Sequence, residues 1–249
     1  MTTLGAPFDQ QGVHLLIDPD KWTGEQLDGI VMAVRPPVRS LIVGGTYIHS
    51  GRTGEVVTRC AKGGLPVGTF VGAGPVDSFL GNGAQFMIVP ILLGALSTRF
   101  ITDQLFQLVE AAERAEVNVQ CVAYVPLDGG VKTAAAFFTQ HTPLPRNRPE
   151  LVALVGKVAA CLGIRGLYLE SGSGARYPVT RDEIAAARKV FKGTLLVGGG
   201  VRTPQVCTRA FEAGADAVVV GTCLEESRSL GWLHGLKVEE RSSWPQVRS

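Results

Sequence analysis

The sequence predicts a (β/α)8 barrel on three observations. Short apolar, β-branched runs alternate with longer helical stretches along the whole chain. The runs are mostly continuous rather than alternating, which is how parallel strands covered on both faces read. Eight such runs in 249 residues leave about 31 residues per unit, the usual size of a βα unit. A doubly wound open sheet is the alternative, and glycine signals at the last two strands favour the barrel. The chain is read as one domain over residues 1–249.

In order, the predicted strands are 14–17, 40–45, 66–71, 84–91, 118–125, 166–171, 194–199 and 216–222. Thr23 is a candidate N-cap for a helix over Gly24–Val34. Leu105, Leu108, Val109 and Ala112 form a helical stripe within Phe100–Glu116. Leu151, Leu154, Val155 and Val158 mark a helix over Pro149–Cys161 that stops at Gly163. Thr180 and Glu183 form a capping box that opens Thr180–Lys192. Pro204 at N1 and Gly214 past the end bracket Thr203–Ala213. Two connections stand apart. The link between strands three and four holds Pro75, Gly81 and Gly83 and no helical stripe, so the barrel is expected to lack the helix after strand three. Gly129–Asn147 is long, contains two prolines, and is a candidate lid.

Composition narrows the function classes. The chain is 45% hydrophobic and 18% charged, enough apolar residue for a sizeable core. Twenty-four Lys and Arg against 22 Asp and Glu give +2 and no run of either sign, so no electrostatic case for nucleic acid exists. Cys60, Cys121, Cys161, Cys207 and Cys223 are odd in number and widely spaced, which argues against a disulfide frame or zinc knuckle and for a reducing compartment. Neither a leader-like start nor a spanning apolar stretch is read, and a cytoplasmic location is expected. His14, His49, His141 and His234 show no metal-ligand spacing. Apolar residues from Leu224 to Leu236, with Trp232, fit either a partner surface in a homo-oligomer (a dimer) or a final helix packed on the barrel.

The chemistry-bearing signals gather at the ends of strands, where barrel enzymes place their sites. Gly198, Gly199 and Gly200 end strand seven and open a helix, and Gly221-Thr222 ends strand eight. Glycine N–H groups in both loops suit a phosphate dianion. Tyr168-Leu169-Glu170-Ser171-Gly172-Ser173-Gly174 ends strand six. Strand alternation puts Tyr168 and Glu170 on one face, so Glu170 is a candidate general base beside the phosphate loops. Asp18, in Asp18-Pro19-Asp20-Lys21, ends strand one and is either a hard-cation ligand or a turn residue. Thr46 ends strand two, where its hydroxyl meets the same cation or a phosphate.

DPDK (18–21), GGT (44–46), YLESGSGARYPV (168–179), GGGVR (198–202) and AGADAVVVGT (213–222) together resemble the geranylgeranylglyceryl phosphate synthase family of archaea and its bacterial relatives, which include heptaprenylglyceryl phosphate synthase and the moenomycin-pathway prenyltransferase. The resemblance runs from residue 14 to about 226; YLE-x-GSGA is its most specific part. It implies a barrel without its third helix and a Mg²⁺-dependent prenyltransferase of lipid or antibiotic biosynthesis. The prenyl group passes from its diphosphate to a hydroxyl of a phosphorylated three-carbon acceptor, sn-glycerol 1-phosphate. Farnesyl transfer to 3-phosphoglycerate is the alternative within the resemblance, with Arg176 or Arg202 as the extra cation for a carboxylate. Another phosphate-binding barrel isomerase or synthase, or a non-catalytic barrel, are further alternatives. By position the resemblance makes Asp18 and Thr46 the Mg²⁺ ligands and Glu170 the base. Tyr168, Leu169, Glu170, Ser171, Gly172, Ser173, Gly174, Gly199, Gly200, Gly221 and Thr222 become acceptor contacts. A transient membrane contact is expected for a lipid product. The sequence departs from the family pattern at Val71-Gly72-Ala73-Gly74 and Pro90–Leu96, where Gly94 stands about where Asn is expected.

Overall fold

The computed structural model describes residues 3–75, 79, 83–96, 103–233, 235, 236 and 238. Eight parallel strands close into a barrel: β1 Gly12–Ile17, β2 Val38–Gly44, β3 Val67–Phe70, β4 Phe86–Leu92, β5 Asn118–Pro126, β6 Gly166–Glu170, β7 Thr194–Gly198 and β8 Ala217–Val220. β8 pairs back onto β1, His14 opposite Val219, which excludes the open sheet. Around the barrel run α1 Gly24–Ala33, α2 Thr53–Ala61, α3 Asp103–Arg114, α4 Ala134–Thr139, α5 Pro149–Cys161, α6 Arg181–Val190, α7 Pro204–Glu212 and α8 Thr222–Ser227.

Local signals set most helix starts. Thr23 and Thr180 each close a capping box, with Gln26 and Glu183, and so satisfy two otherwise unpaired N–H groups. Among the described residues no α-helix lies between β3 and β4. Instead Phe79, from that link, is buried against Ile48, Val71, Met87, Val89 and Leu108 and covers the outer face of the sheet there. The expected start of the third helix at Phe100, together with Gly81 and His234, lies outside the described residues.

Two stripes face differently from the sequence reading. On α3, Leu108 and Ala112 are buried but Val109 is exposed. On α5, Leu154 and Val158 are 56% and 42% exposed, and Val152, Gly156 and Ala159 form the buried face. Small residues decide it: a Cβ on Gly156 would meet Val190 at 3.1 Å and Leu167 at 3.6 Å, so this face alone lets α5 approach β6 and α6 closely. Gly156→Leu is therefore expected to cost about 1–3 kcal/mol by overpacking, whereas Leu154→Ala should stay within about 0.5 kcal/mol. Urea denaturation of the two variants measures both.

The barrel interior ends in a polar layer away from the site. His14 Nδ1 and Ser40 Oγ lie 2.8 Å apart, and burial, with help from Arg39, drives the His14 pKa down to about 3, so the ring is neutral. The N-terminal segment closes this end. Phe8 packs on His14 and Phe86, the Leu4 N–H donates to Thr194 Oγ1, and Gln120 Nε2 donates to the Ala6 carbonyl. At the C-terminus Leu224, Leu233 and Leu236 are buried in the main core, so this segment packs on the barrel. No helix of the described residues is long and apolar enough to cross a membrane.

Candidate active site

The opposite end of the barrel opens into a cavity of about 480 Å³, bordered by the end of β4 and by the connections after the other seven strands. Its two ends differ in chemistry. One carries Asp18, Lys21, Thr46, Glu170 and the glycine loops; the other is walled by Phe70, Val71, Ala73, Pro90 and Leu92.

β6 delivers Tyr168 and Glu170 to the interior, as the alternation requires, and sends Leu169 into the outer core. Leu169 does not line the cavity, a correction to its expected role as a contact. Glu170 sits against β7. A Cβ on Gly198 would overlap both its carboxylate and the Tyr168 hydroxyl, and one on Gly199, at φ +80°, would strike Glu170 and the N–H groups of Ser171 and Gly172. Glycine at these two positions makes room for the carboxylate. Burial raises the Glu170 pKa, while hydrogen bonds from the Tyr168 hydroxyl and the Gly172 N–H, the latter 2.7 Å, oppose that rise. The Tyr168 phenol is itself pushed well above its usual value by burial, then by Glu170 and Tyr124, so it stays protonated and donates.

The three glycine loops converge beside this carboxylate. Thr222 Oγ1 accepts from the Gly174 N–H at 3.1 Å and lies 3.2 Å from Ser173 Oγ, tying the loop after β6 to the start of α8. Gly199 and Gly200 lie past the last ladder pair of β7, so their N–H groups are not spent in the sheet. Across the mouth, Asp18 accepts from the Asp20 N–H at 3.0 Å and lies 3.4 Å from Lys21 Nζ, which donates to Glu225 at 2.9 Å. Burial works to lower the Lys21 pKa, but Glu225 and Asp18 outweigh it and the ammonium is held more firmly than usual. Asp20 anchors the loop after β2 by accepting from the His49 and Ser50 N–H groups. Arg202 reaches the cavity but is committed to the Ala175 carbonyl at 2.6 Å and to Glu226 at 3.5 Å; Arg176 does not line it.

The connection after β5 closes over the mouth. Its base is pinned by Leu144 N–H to Pro126 O (2.8 Å) and Asp128 N–H to Leu144 O (2.9 Å), and α4 is capped by Thr133. From α4, Phe138 stacks on Tyr47 of the loop after β2, with centroids 5.3 Å apart and planes 13° apart. Lys21, Tyr124 and Phe70 are site residues that the sequence reading passed over. Phe70, Tyr124 and Tyr168 meet edge to face, with centroids 5.3–6.1 Å apart.

A family model described as the PcrB family matches residues 10–234. The chain belongs to the PcrB family. Geranylgeranylglyceryl phosphate synthase of Thermococcus gammatolerans is 33% identical over 219 residues, 87% of this chain and 85% of that protein. The enzyme of the same name from Aeropyrum pernix is 34% identical over 221 residues, 85% of each chain. The solved (S)-3-O-geranylgeranylglyceryl phosphate synthase of Thermoplasma acidophilum, in complex with sn-glycerol-1-phosphate, shares the fold: TM-score 0.80 over 91% of this chain and 93% of that one, at 23% identity. This member of the PcrB family is an enzyme, a prenyltransferase.

Proposed function

We propose that the protein transfers an allylic prenyl group from its diphosphate to a hydroxyl of sn-glycerol 1-phosphate, with Mg²⁺ as cofactor. The observation that carries this reading is the division of one cavity into a polar end, where glycine loops flank a buried carboxylate, and an apolar end with no charged side chain among Phe70, Val71, Ala73, Pro90 and Leu92. The acceptor phosphate suits the loops after β6, β7 and β8, the prenyl chain suits the apolar wall, and the diphosphate falls between them near Asp18 and Lys21. Of the two sequence departures, Val71, Gly72, Ala73, Pro90 and Leu92 fall on the prenyl wall and bear on the donor rather than on the acceptor, whereas Gly94 does not line the cavity.

Asp18 and Thr46 fit a Mg²⁺ ion. Both offer hard oxygen donors at the mouth, and no group of three or more His, Cys, Asp or Glu among the described residues forms an all-protein metal cage. A short oxygen set suits an ion that takes its remaining ligands from substrate phosphate and water. Once bound, the ion would neutralise charge developing on the departing diphosphate. Lys21 adds a fixed positive charge at the same place. The C1–O bond of the donor breaks and its electron pair leaves with diphosphate. The acceptor oxygen forms the ether bond to C1, and Glu170 takes the hydroxyl proton. Tyr168 holds Glu170 in place through its hydrogen bond. Phe70, Tyr124 and Tyr168 line the cavity, and a ring face turned to the allylic carbon would stabilise the cation character that develops there.

Neither arginine expected to meet an acceptor carboxylate is free in the cavity, since Arg202 already serves Ala175 and Glu226 and Arg176 does not line it; Lys132 is the lining cation without an ion pair among the described residues. The test is a transfer assay with Mg²⁺, labelled C15 and C20 prenyl diphosphates, and glycerol 1-phosphate or 3-phosphoglycerate. Glycerol 1-phosphate is expected to give the prenyl ether. Turnover with 3-phosphoglycerate alone would move the reading to the second acceptor, and no transfer to either would reject it.

A further inference from the structure

We propose that the rim that carries Leu96, Phe106 and Phe137 docks on an anionic lipid bilayer, an inference that rests on the reading of donor and product as lipids. Three large apolar side chains stand out there. Phe137 on α4 is 79% exposed, Phe106 in the first turn of α3 is 79% exposed, and Leu96 just past β4 is 87% exposed. In a parallel barrel these positions share the end at which the cavity opens. They also occupy successive sectors, beside the β4 wall of Pro90 and Leu92. The lid separates its two aromatics: Phe138 turns inward onto Tyr47, while Phe137 points out and touches Phe138 edge to face. Phe137 leaves most of its ring uncovered beyond that contact, and exposed apolar side chains on one rim mark interaction surfaces.

Charge selects the occupant. Beside α4, Lys132, Arg146 and Arg176 have no ion-pair partner among the described residues, and Arg146 Cζ lies over the Tyr177 ring, 4.2 Å from its centroid. Asp128 is the acidic residue of that loop, and its carboxylate is turned back to the Gly130 N–H. A basic, aromatic-tipped rim is complementary to anionic headgroups. Set against itself in a two-fold pair, the same rim would bring like charges together. Docked on a bilayer, the mouth faces the phase in which a long prenyl donor resides and into which an ether-lipid product must pass.

The experiment is flotation of the full chain with phosphatidylcholine vesicles, with and without phosphatidylglycerol, at low and high salt. It is paired with transfer assays that use a short, water-soluble allylic diphosphate and no vesicles. Wild type is expected to float with the anionic vesicles and to be released by salt. Phe137→Ser and Phe106→Ser should each weaken binding roughly tenfold. Arg176→Glu should weaken binding to anionic vesicles alone. None of the three residues lines the cavity, so turnover of the short donor should be unchanged. Absence of wild-type binding to both vesicles, or wild-type binding by Phe137→Ser, would overturn the proposal. So would a smaller oligomer on Phe137→Ser, which would make the rim a contact between copies. Vesicle binding needs no substrate. A chain that floats but transfers nothing would therefore reject the proposed activity, and one that transfers but never floats would reject only the docking surface.

Discussion

Glu170→Gln is expected to lower kcat by roughly 10²- to 10⁴-fold, the range for loss of a positioned base, while KM for the acceptor changes little because the glycine loops remain. The side chain keeps its shape: the single amide oxygen can accept from the Gly172 N–H, and the amide NH2 can donate to the Tyr168 hydroxyl oxygen. The pH profile gives a second readout. Burial raises the Glu170 pKa, so the acid limb of kcat/KM should lie above the ordinary Glu value of 4.5, with activity lost as pH falls through it; the limb should vanish in Glu170→Gln. The stability sign is opposite to the activity sign. A carboxyl group whose folded pKa is raised favours the fold when protonated and disfavours it when ionised. At neutral pH the neutral Gln should thus leave Tm unchanged or higher. Lost activity with an undiminished Tm separates chemistry from folding, and kinetics within a few-fold of wild type would leave Glu170 as an orienting residue.

Asp18→Asn should remove the Mg²⁺-dependent rate, by about 10²- to 10⁴-fold, since a lost metal contact forfeits several kcal/mol of charge stabilisation. Its fold should persist. Asp18 lies at the cavity mouth, its carboxylate contacts within the loop are to the Asp20 N–H and Lys21, and Lys21 keeps Glu225 as a partner. Magnesium titrations of the rate, alongside thermal melts, check both halves. Full turnover by Asp18→Asn would show that this carboxylate holds no ion.

The strands were legible because most are continuous apolar runs bounded by Gly, Pro or Asp, and the parity of β6 put Tyr168 and Glu170 on one face, which the structure shows to be the inner one. The lack of a helix among the described residues of the third link was legible because Pro75 and the glycines leave no periodic stripe. The buried face of α5 was not. Its large apolar residues and its small ones both follow a helical period, and only the proximity of Val190 and Leu167 to Gly156 selects the small face. Tyr124 was hidden inside the run NVQCVAYV. The signal that finds it is parity with Gln120 and Val122 near the strand's end, the same argument that found Tyr168. Lys21 acts across the barrel mouth through Glu225, 204 positions away, a contact no local pattern shows. The closing of the barrel's far end by Leu4 and Phe8 likewise depends on distant partners, Thr194 and Phe86.

The central claim is that acceptor phosphate and base occupy adjoining parts of one site, and a crystal structure with glycerol 1-phosphate tests it most directly. The account predicts the phosphate between Ser173, Gly199-Gly200 and Gly221-Thr222, with a free hydroxyl of the acceptor at hydrogen-bond distance from the Glu170 carboxylate. A phosphate seated elsewhere in the cavity, or a hydroxyl pointing away from Glu170, would contradict it.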